Sequence, residues 1–178
     1  LDAYEIAAKL DSANVDATYS QGLILAKLGD NQKAEEIFRQ VTILREDDFN
    51  AWYNLGISLS KLDRSEEAMD CFNKSIELND RYVYSWHAKG LSLEQLGRIE
   101  AAIDCYDKCL KIDLGFFDGW YSKGLALQKI GRDHEAIDCC NKAIEVNPND
   151  TMIWLNKGNS LATLGQIGLA LQCYQKSI

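Results

Sequence analysis

The clearest pattern along the chain is a set of glycine, alanine, leucine and tryptophan residues that return every 34 residues. The glycines of this set are Gly22, Gly56, Gly90, Gly124 and Gly158. Leu59, Ala68 and Trp52 have counterparts at the same step. Four coincident registers indicate one supersecondary unit that is copied along the chain and stacked on itself.

Each copy carries the pattern of two amphipathic helices. When the periodic glycine is placed at position 8, the copies cover residues 15–48, 49–82, 83–116, 117–150 and an incomplete 151–178. Positions 4, 8 and 11 share one face of a first helix at about 100° per residue. A turn glycine such as Gly29 ends this helix, and a second helix follows. We therefore predict a single array over residues 1–178, with helices at about positions 2–14 and 18–31 of each repeat and a partial repeat at residues 1–14.

The second repeat has the most diagnostic residues. Its first helix contains Trp52, Leu55 and Gly56, and its second helix contains Ala68 and Phe72. This spacing, with the 34-residue period, resembles the tetratricopeptide repeat (TPR) family throughout the chain. The resemblance implies an all-α, right-handed superhelical solenoid of antiparallel helix pairs.

The side of the first helices that points away from the second helices is the candidate binding surface. Positions 2, 5, 6, 9, 12 and 13 lie there, and stacking lines them up along a concave groove. In the TPR family this groove typically holds a peptide or a partner's helix. The candidate groove residues are Tyr19, Leu23, Asn54, Tyr53, Ile57, Tyr84, His87, Leu91, Tyr121, Leu125 and Asn156. The alternative is that the position 9 aliphatics only pack between neighbouring first helices.

Two TPR sub-types can be compared with these residues. A carboxylate clamp for chaperone C-termini needs Lys at position 5 and Asn at position 9, whereas this chain has residues such as Tyr53 and Ile57 there. A ladder of asparagines at position 6 is present only in part, at Asn54 and Asn156. We therefore expect no binding of chaperone C-termini, and at most a partial asparagine ladder.

Charge narrows the class of partner. The chain has 19 Lys and Arg against 27 Asp and Glu, a net charge of −8, which does not suit a general nucleic-acid binder. No stretch approaches the ~18 to 20 apolar residues that span a bilayer, so we expect no membrane association. On the candidate groove, Asp16, Glu94 and Asp118 are balanced by Lys27, Lys61 and Lys129, which predicts a roughly neutral surface.

The six cysteines do not indicate disulfides, a metal site or catalysis. Cys71, Cys105 and Cys139 occupy the same position on successive second helices, about 8–10 Å apart, which exceeds disulfide reach. Cys105 and Cys109 form an i, i+4 pair, but no Cys-x2-Cys pair or histidine cluster accompanies them. We expect reduced thiols in the cytoplasm, no metal or cofactor, and no enzyme activity.

The sequence thus predicts a non-catalytic protein–protein interaction scaffold that binds a protein or peptide. Two alternatives remain open, because the chain begins and ends within predicted second helices and has no polar capping repeat. One is self-association through the uncapped ends. The other is a targeting arm of a longer multidomain protein, which includes enzymes.

Overall fold

The fold is built only from helices in the part of the chain that can be described. The computed structural model describes the backbone of residues 2–178 and the side chains of residues 14–178. Within these limits there are ten helices and no strand. They are α1 (Asp2–Lys27), α2 (Asn31–Leu44), α3 (Phe49–Lys61), α4 (Ser65–Leu78), α5 (Val83–Gln95), α6 (Ile99–Ile112), α7 (Phe117–Lys129), α8 (Asp133–Val146), α9 (Thr151–Thr163) and α10 (Ile167–Lys176). The predicted all-α architecture is confirmed, and α3 to α8 begin and end within about one residue of the predicted positions.

The first helix differs from the predicted boundary between residues 14 and 15. Helix α1 runs without a turn from Asp2 to Lys27. The sequence from Asp2 to Gln21 contains neither glycine nor proline, so nothing in it terminates a helix. The partial repeat proposed for residues 1–14 depends on side chains that lie outside the described residues.

The chain divides into two compact units, Leu1–Ser85 and Trp86–Ile178. In the first unit α1 packs on α2, α2 on α3 and α3 on α4, and α1 also contacts α3. In the second unit α6 to α10 pack in the same successive way, and α7 contacts α9. Because neighbouring first helices touch, side chains at the same repeat position lie side by side within each unit.

In four of the five repeats, the periodic glycine of the first helix faces an aromatic ring of the second helix, and in the fourth repeat Gly124 faces Cys139 and Cys140 instead. Phe72 is fully buried, and a Cβ added to Gly56 would lie 2.5 Å from its Cε1 atom. The ring therefore occupies the space that any side chain at residue 56 would need. Ala68, one turn before Phe72, is also fully buried and lets the two helices approach.

The turns between paired helices follow the sequence prediction. Gly29, Gly97, Gly131 and Gly165 all have positive φ angles. Asp63 takes the same left-handed conformation in the second repeat, with φ of 59°. This conformation is more costly for aspartate than for glycine, so the turn after α3 carries some local strain.

The periodic tryptophans tie consecutive repeats together. The indole N–H groups of Trp52, Trp120 and Trp154 donate to the backbone carbonyls of Glu46, Leu114 and Pro148, at 2.9, 2.8 and 2.9 Å. Each bond joins position 4 of one repeat to position 32 of the repeat before it. Since the acceptor is a backbone carbonyl, the bond does not require proline at position 32.

Candidate functional site

The candidate groove residues at position 9 are apolar side chains that stay partly open to solvent. Leu23, on α1 in the first unit, and Leu91, on α5 in the second unit, are 41% and 42% exposed. Ile57 and Leu125 are half-buried. The position 9 row therefore contributes both to packing between helices and to the open surface.

The aromatic residues at position 5 are more structural than the sequence suggests. The Tyr19 ring packs against Phe38, with ring centroids 5.7 Å apart, and the Tyr53 ring lies 6.1 Å from Phe72. All four of these rings belong to the first unit. Tyr19 and Tyr53 are half-buried, so each covers the aromatic ring that closes its hairpin and presents only part of its surface to solvent.

His87 occupies position 5 in the second unit and is also half-buried. Its ring lies between Tyr106, at 5.7 Å, and Phe116, at 5.3 Å. Burial lowers the pKa of His87, while the charges of Asp118 and Glu94 oppose this shift. The imidazole is therefore neutral at physiological pH and acts here as a packing and hydrogen-bonding group.

A hydrogen bond links position 5 of one repeat to position 6 of the next in both units. The Asn54 Nδ2 group donates to Tyr19 Oη at 2.7 Å and also to the Asn50 carbonyl at 2.9 Å. In the second unit, His87 Nε2 and Ser122 Oγ lie 2.9 Å apart. Because both N–H groups of the Asn54 amide have acceptors, only its oxygen remains for a partner.

The last two candidate residues do not form a common open surface. Tyr121 stacks on Phe117, with centroids 6.1 Å apart, and is half-buried. Asn156 is buried, and its backbone carbonyl accepts a hydrogen bond from Gln128 Nε2 at 2.7 Å. The Asn156 side chain therefore lies beneath the surface on which sequence reasoning places it.

An aromatic cluster in the first unit extends the candidate surface beyond the predicted residues. It consists of Phe49, Tyr53, Tyr82 and Tyr84, with Tyr82 in the centre. The Tyr82 centroid lies 5.0 Å from Phe49, 5.3 Å from Tyr53 and 5.3 Å from Tyr84. Tyr84 is 48% exposed and is the most open member. The sequence signal for Tyr82 is an aromatic residue at position 34, which is found again in the third repeat as Phe116.

Two tyrosines of this cluster, Tyr53 and Tyr82, are partly shielded from water. Burial, with smaller effects from Tyr82 and Tyr84, raises the pKa of Tyr53 to about 12. Burial also raises the pKa of Tyr82 above its usual value. Tyr53 and Tyr82 are therefore neutral at physiological pH, and the cluster offers aromatic area with hydroxyl groups.

The charges of the candidate surface differ in how they are paired within each unit. In the second unit, Lys129 Nζ lies 2.5 Å from Glu94 Oε2, and Glu94 Oε1 accepts a hydrogen bond from Tyr106 Oη at 2.6 Å. In the first unit, Arg45 pairs with Asp16 at 2.5 Å. Among the described residues, neither Lys27 nor Lys61 forms an ion pair.

Family comparison identifies the repeat. Tetratricopeptide repeat models match residues 1–51, 49–82, 83–115, 117–150 and 139–172. The chain belongs to the tetratricopeptide repeat family. Membership supports a protein-interaction scaffold, and this family is generally non-catalytic. No curated protein matches this TPR chain.

Solved structures share the fold of this TPR protein. A crystal structure of MamA is 18% identical with a TM-score of 0.82, covering 88% of this chain and 91% of that one. MamA from Desulfovibrio magneticus RS-1 is 16% identical with a TM-score of 0.84 and 92% coverage of both chains. YrrB, described as a TPR protein with an unusual peptide-binding site, is 18% identical with a TM-score of 0.75, covering 90% of this chain and 83% of that one. At these identities the likeness concerns the fold alone.

The cysteines of this TPR protein are buried within the helix packing. All six are buried free thiols. Burial raises the pKa of Cys71, Cys109 and Cys140 to about 12 and that of Cys139 to about 11, so little thiolate forms at physiological pH. The described part of the chain contains no group of three side chains that could hold a metal ion. It also contains no helix that is long and apolar enough to span a membrane.

Proposed function

We propose that this TPR protein is a non-catalytic scaffold that binds a peptide or a partner helix on its first-helix surface. The observation that carries this proposal is the exposure of a position 9 leucine in each unit: Leu23 in the first and Leu91 in the second keep about two fifths of their side chains open to solvent. Apolar side chains that lie in ordered helices yet stay accessible can be buried by a partner at little conformational cost.

The neighbouring groups suit recognition of a polypeptide. In the first unit, Leu23 and Ile57 each follow a position 5 tyrosine by four residues, and therefore share its helical face. Tyr84 adds open aromatic area. Tyrosine edges combine apolar contact with a hydrogen-bonding hydroxyl, a combination that is enriched at protein interfaces. The peptide-binding description of YrrB, a structure of the same fold, adds support to this proposal.

The net charge and the free thiols indicate the class of partner and the compartment that we propose. The net charge of −8 disfavours nucleic acid as the partner, and we propose no membrane partner. Six free thiols suit a reducing compartment, so we place the protein in the cytoplasm. We propose no catalytic role, metal or cofactor for the chain.

The test compares partner capture by variants of the open row and of a control surface. Leu23→Ser with Leu91→Ser removes the two open leucines, while Leu44→Ser with Leu78→Ser removes two exposed leucines at the ends of second helices. Burying a leucine contributes about 1.5–3 kcal/mol, so we expect the first pair to lower partner affinity at least about tenfold. Quantitative affinity capture followed by titration of the captured partner measures this. Equal partner affinity for both pairs would contradict the proposal.

Self-association is a second candidate, favoured by the uncovered face of α1. Ile24 and Leu28 are 60% and 77% exposed. The counterparts of Ile24 at position 10 in later repeats, Ser58 and Ala126, are buried. On α10, Leu171 is 56% exposed, whereas its counterpart Ile103 is buried. We propose that a second copy can cover these faces in a head-to-tail contact. The remaining alternative, a targeting arm of a longer protein, stays a prediction.

Sedimentation velocity tests the second candidate. If it is right, the protein forms species larger than a monomer at micromolar concentration, and Ile24→Glu or Leu171→Glu returns it to the monomer because a charge in an apolar contact is costly. Leu78→Glu, on an exposed part of α4, serves as the control and should leave association unchanged. A monomer at all concentrations would contradict this candidate and leave the peptide-binding proposal intact.

A further inference from the structure

The second unit contains an ion pair that the first unit lacks, although both have the lysine for it. In the second unit the lysine at position 13, Lys129, binds Glu94 at position 12 of the preceding repeat, with 2.5 Å between Nζ and Oε2. The Glu94 side chain is only 11% exposed, so the carboxylate is held within the surface. In the first unit Lys61 also occupies position 13, but position 12 of the preceding repeat is Ala26. Lys61 therefore has no carboxylate from its own chain in the place where Lys129 has one.

Two other cations of the first unit are engaged in ion pairs. Arg45 pairs with Asp16, and Lys33 pairs with Asp30. Lys27 and Lys61 form no ion pair with any residue that the structure describes. Both are exposed in the last turns of α1 and α3.

The two lysines adjoin the open apolar row. Lys27 follows Leu23 by four residues on α1, and Lys61 follows Ile57 by four residues on α3. Residues at i and i+4 lie on the same helical face, so each lysine stands one turn beyond an apolar side chain. The first unit thus presents two apolar groups and two cations in neighbouring rows.

From this arrangement we propose that the first-unit surface selects partner segments that carry carboxylates, with Lys61 and Lys27 as the groups that receive them. This inference rests on the proposed peptide-binding function and adds the chemistry of the peptide. A partner carboxylate takes the same role towards Lys61 that Glu94 takes towards Lys129. The apolar side chains of the segment contact Leu23 and Ile57.

The spacing of the helices sets the spacing of the acidic residues. Helices α1 and α3 contact each other, and helix axes in contact lie about 8–10 Å apart. Three residues of an extended chain span about 10 Å. The preferred segment therefore has acidic residues about three positions apart with an apolar residue between them.

Selection from a displayed library of random 12-residue peptides tests the inference. We expect peptides selected on the whole chain to be at least about twofold richer in Asp and Glu than the starting library. The selected peptide with the highest affinity should bind about tenfold more weakly when its acidic residues are replaced by Asn or Gln, since charge-assisted hydrogen bonds are then lost.

One substitution gives Lys61 a carboxylate from its own chain. Ala26→Glu gives Lys61 a glutamate at the repeat position where Lys129 has Glu94. Because this glutamate would compete with the peptide for Lys61, we expect it to weaken binding of the acidic peptide about tenfold. Gln40→Glu adds the same charge on the exposed face of α2 and is the matched control, expected to change affinity less than twofold. Circular dichroism confirms that both variants remain folded.

The outcomes separate the two proposals. Selected peptides without acidic enrichment, or equal binding by Ala26→Glu and Gln40→Glu, would overturn the carboxylate inference and leave peptide binding standing. If no peptide is enriched over the starting library, both the inference and peptide binding on this surface are overturned.

Discussion

Replacing Phe72 with alanine is expected to lower the free energy of unfolding by about 4 kcal/mol, within the ~3–5 kcal/mol range typical of such truncations. The Phe72 ring is fully buried and fills the space against Gly56, where no side chain exists to collapse into the cavity. Tyr53 also packs on this ring, with centroids 6.1 Å apart, so the substitution additionally removes support from the proposed binding surface. Urea unfolding followed by circular dichroism and tryptophan fluorescence measures the change.

The fourth repeat provides the control for this prediction. Cys140 stands at the position equivalent to Phe72 and is also buried. Because alanine removes only the sulfur there, Cys140→Ala is expected to cost about 1 kcal/mol. A similar cost for the two substitutions would contradict the view that the aromatic ring is the main filling group of the hairpin.

The periodic part of the fold could be predicted because the same residue types return at the same positions of the repeats. Glycine at position 8, alanine at position 20 and a left-handed residue at the turn agree in nearly every copy, so helix boundaries followed to about one residue. The fourth repeat shows the limit of this reasoning. There Cys140 stands in place of the aromatic ring, and Phe117, Trp120 and Tyr121 pack against its core cluster.

The role of position 5 could not be settled by periodicity. At about 100° per residue this position lies between the open surface and the second helix. Its exposure depends on which rings stand beside it, and Tyr82, at the end of the repeat, supplies one of those rings for Tyr53. The repeat pattern of this single sequence does not mark Tyr82, because position 34 is aspartate in the first and fourth repeats.

The charge pattern shows a second limit. The formal charges of the candidate groove residues sum to zero, but whether a charged side chain forms an ion pair depends on which residue of the neighbouring repeat lies beside it. Lys129 meets Glu94, 35 residues earlier, whereas the residue 35 positions before Lys61 is Ala26. This register between first helices becomes visible only when the helices are placed side by side, and the carboxylate inference depends on it.

Substituting Gly56 with alanine is expected to lower the free energy of unfolding by about 2 kcal/mol. Alanine gains about 1 kcal/mol over glycine in a helix interior, but overpacking a core costs about 1–3 kcal/mol and more where the neighbour is rigid. The new Cβ would lie 2.5 Å from Phe72 Cε1 and 2.8 Å from Cδ1, and a fully buried ring cannot move aside cheaply. Urea unfolding measures the loss.

Gly124→Ala is the matched control, with the opposite sign expected. There the nearest atom to an added Cβ is the Cβ of Cys139 at 3.5 Å, an ordinary contact, because Cys140 replaces the aromatic ring. The helix-propensity gain then stands alone and raises the free energy of unfolding by up to about 1 kcal/mol. Destabilisation by both alanines would contradict this account.

The double variant tests whether Gly56 and Phe72 act as one unit. In the Phe72→Ala background the ring that excludes a Cβ at residue 56 is gone, so Gly56→Ala should become favourable and fill part of the cavity. The two changes are then non-additive by more than about 1 kcal/mol, the range expected for residues in direct contact. Additive losses would mean that Phe72 already moves aside in the single variant, and that glycine at position 8 reflects something other than close packing.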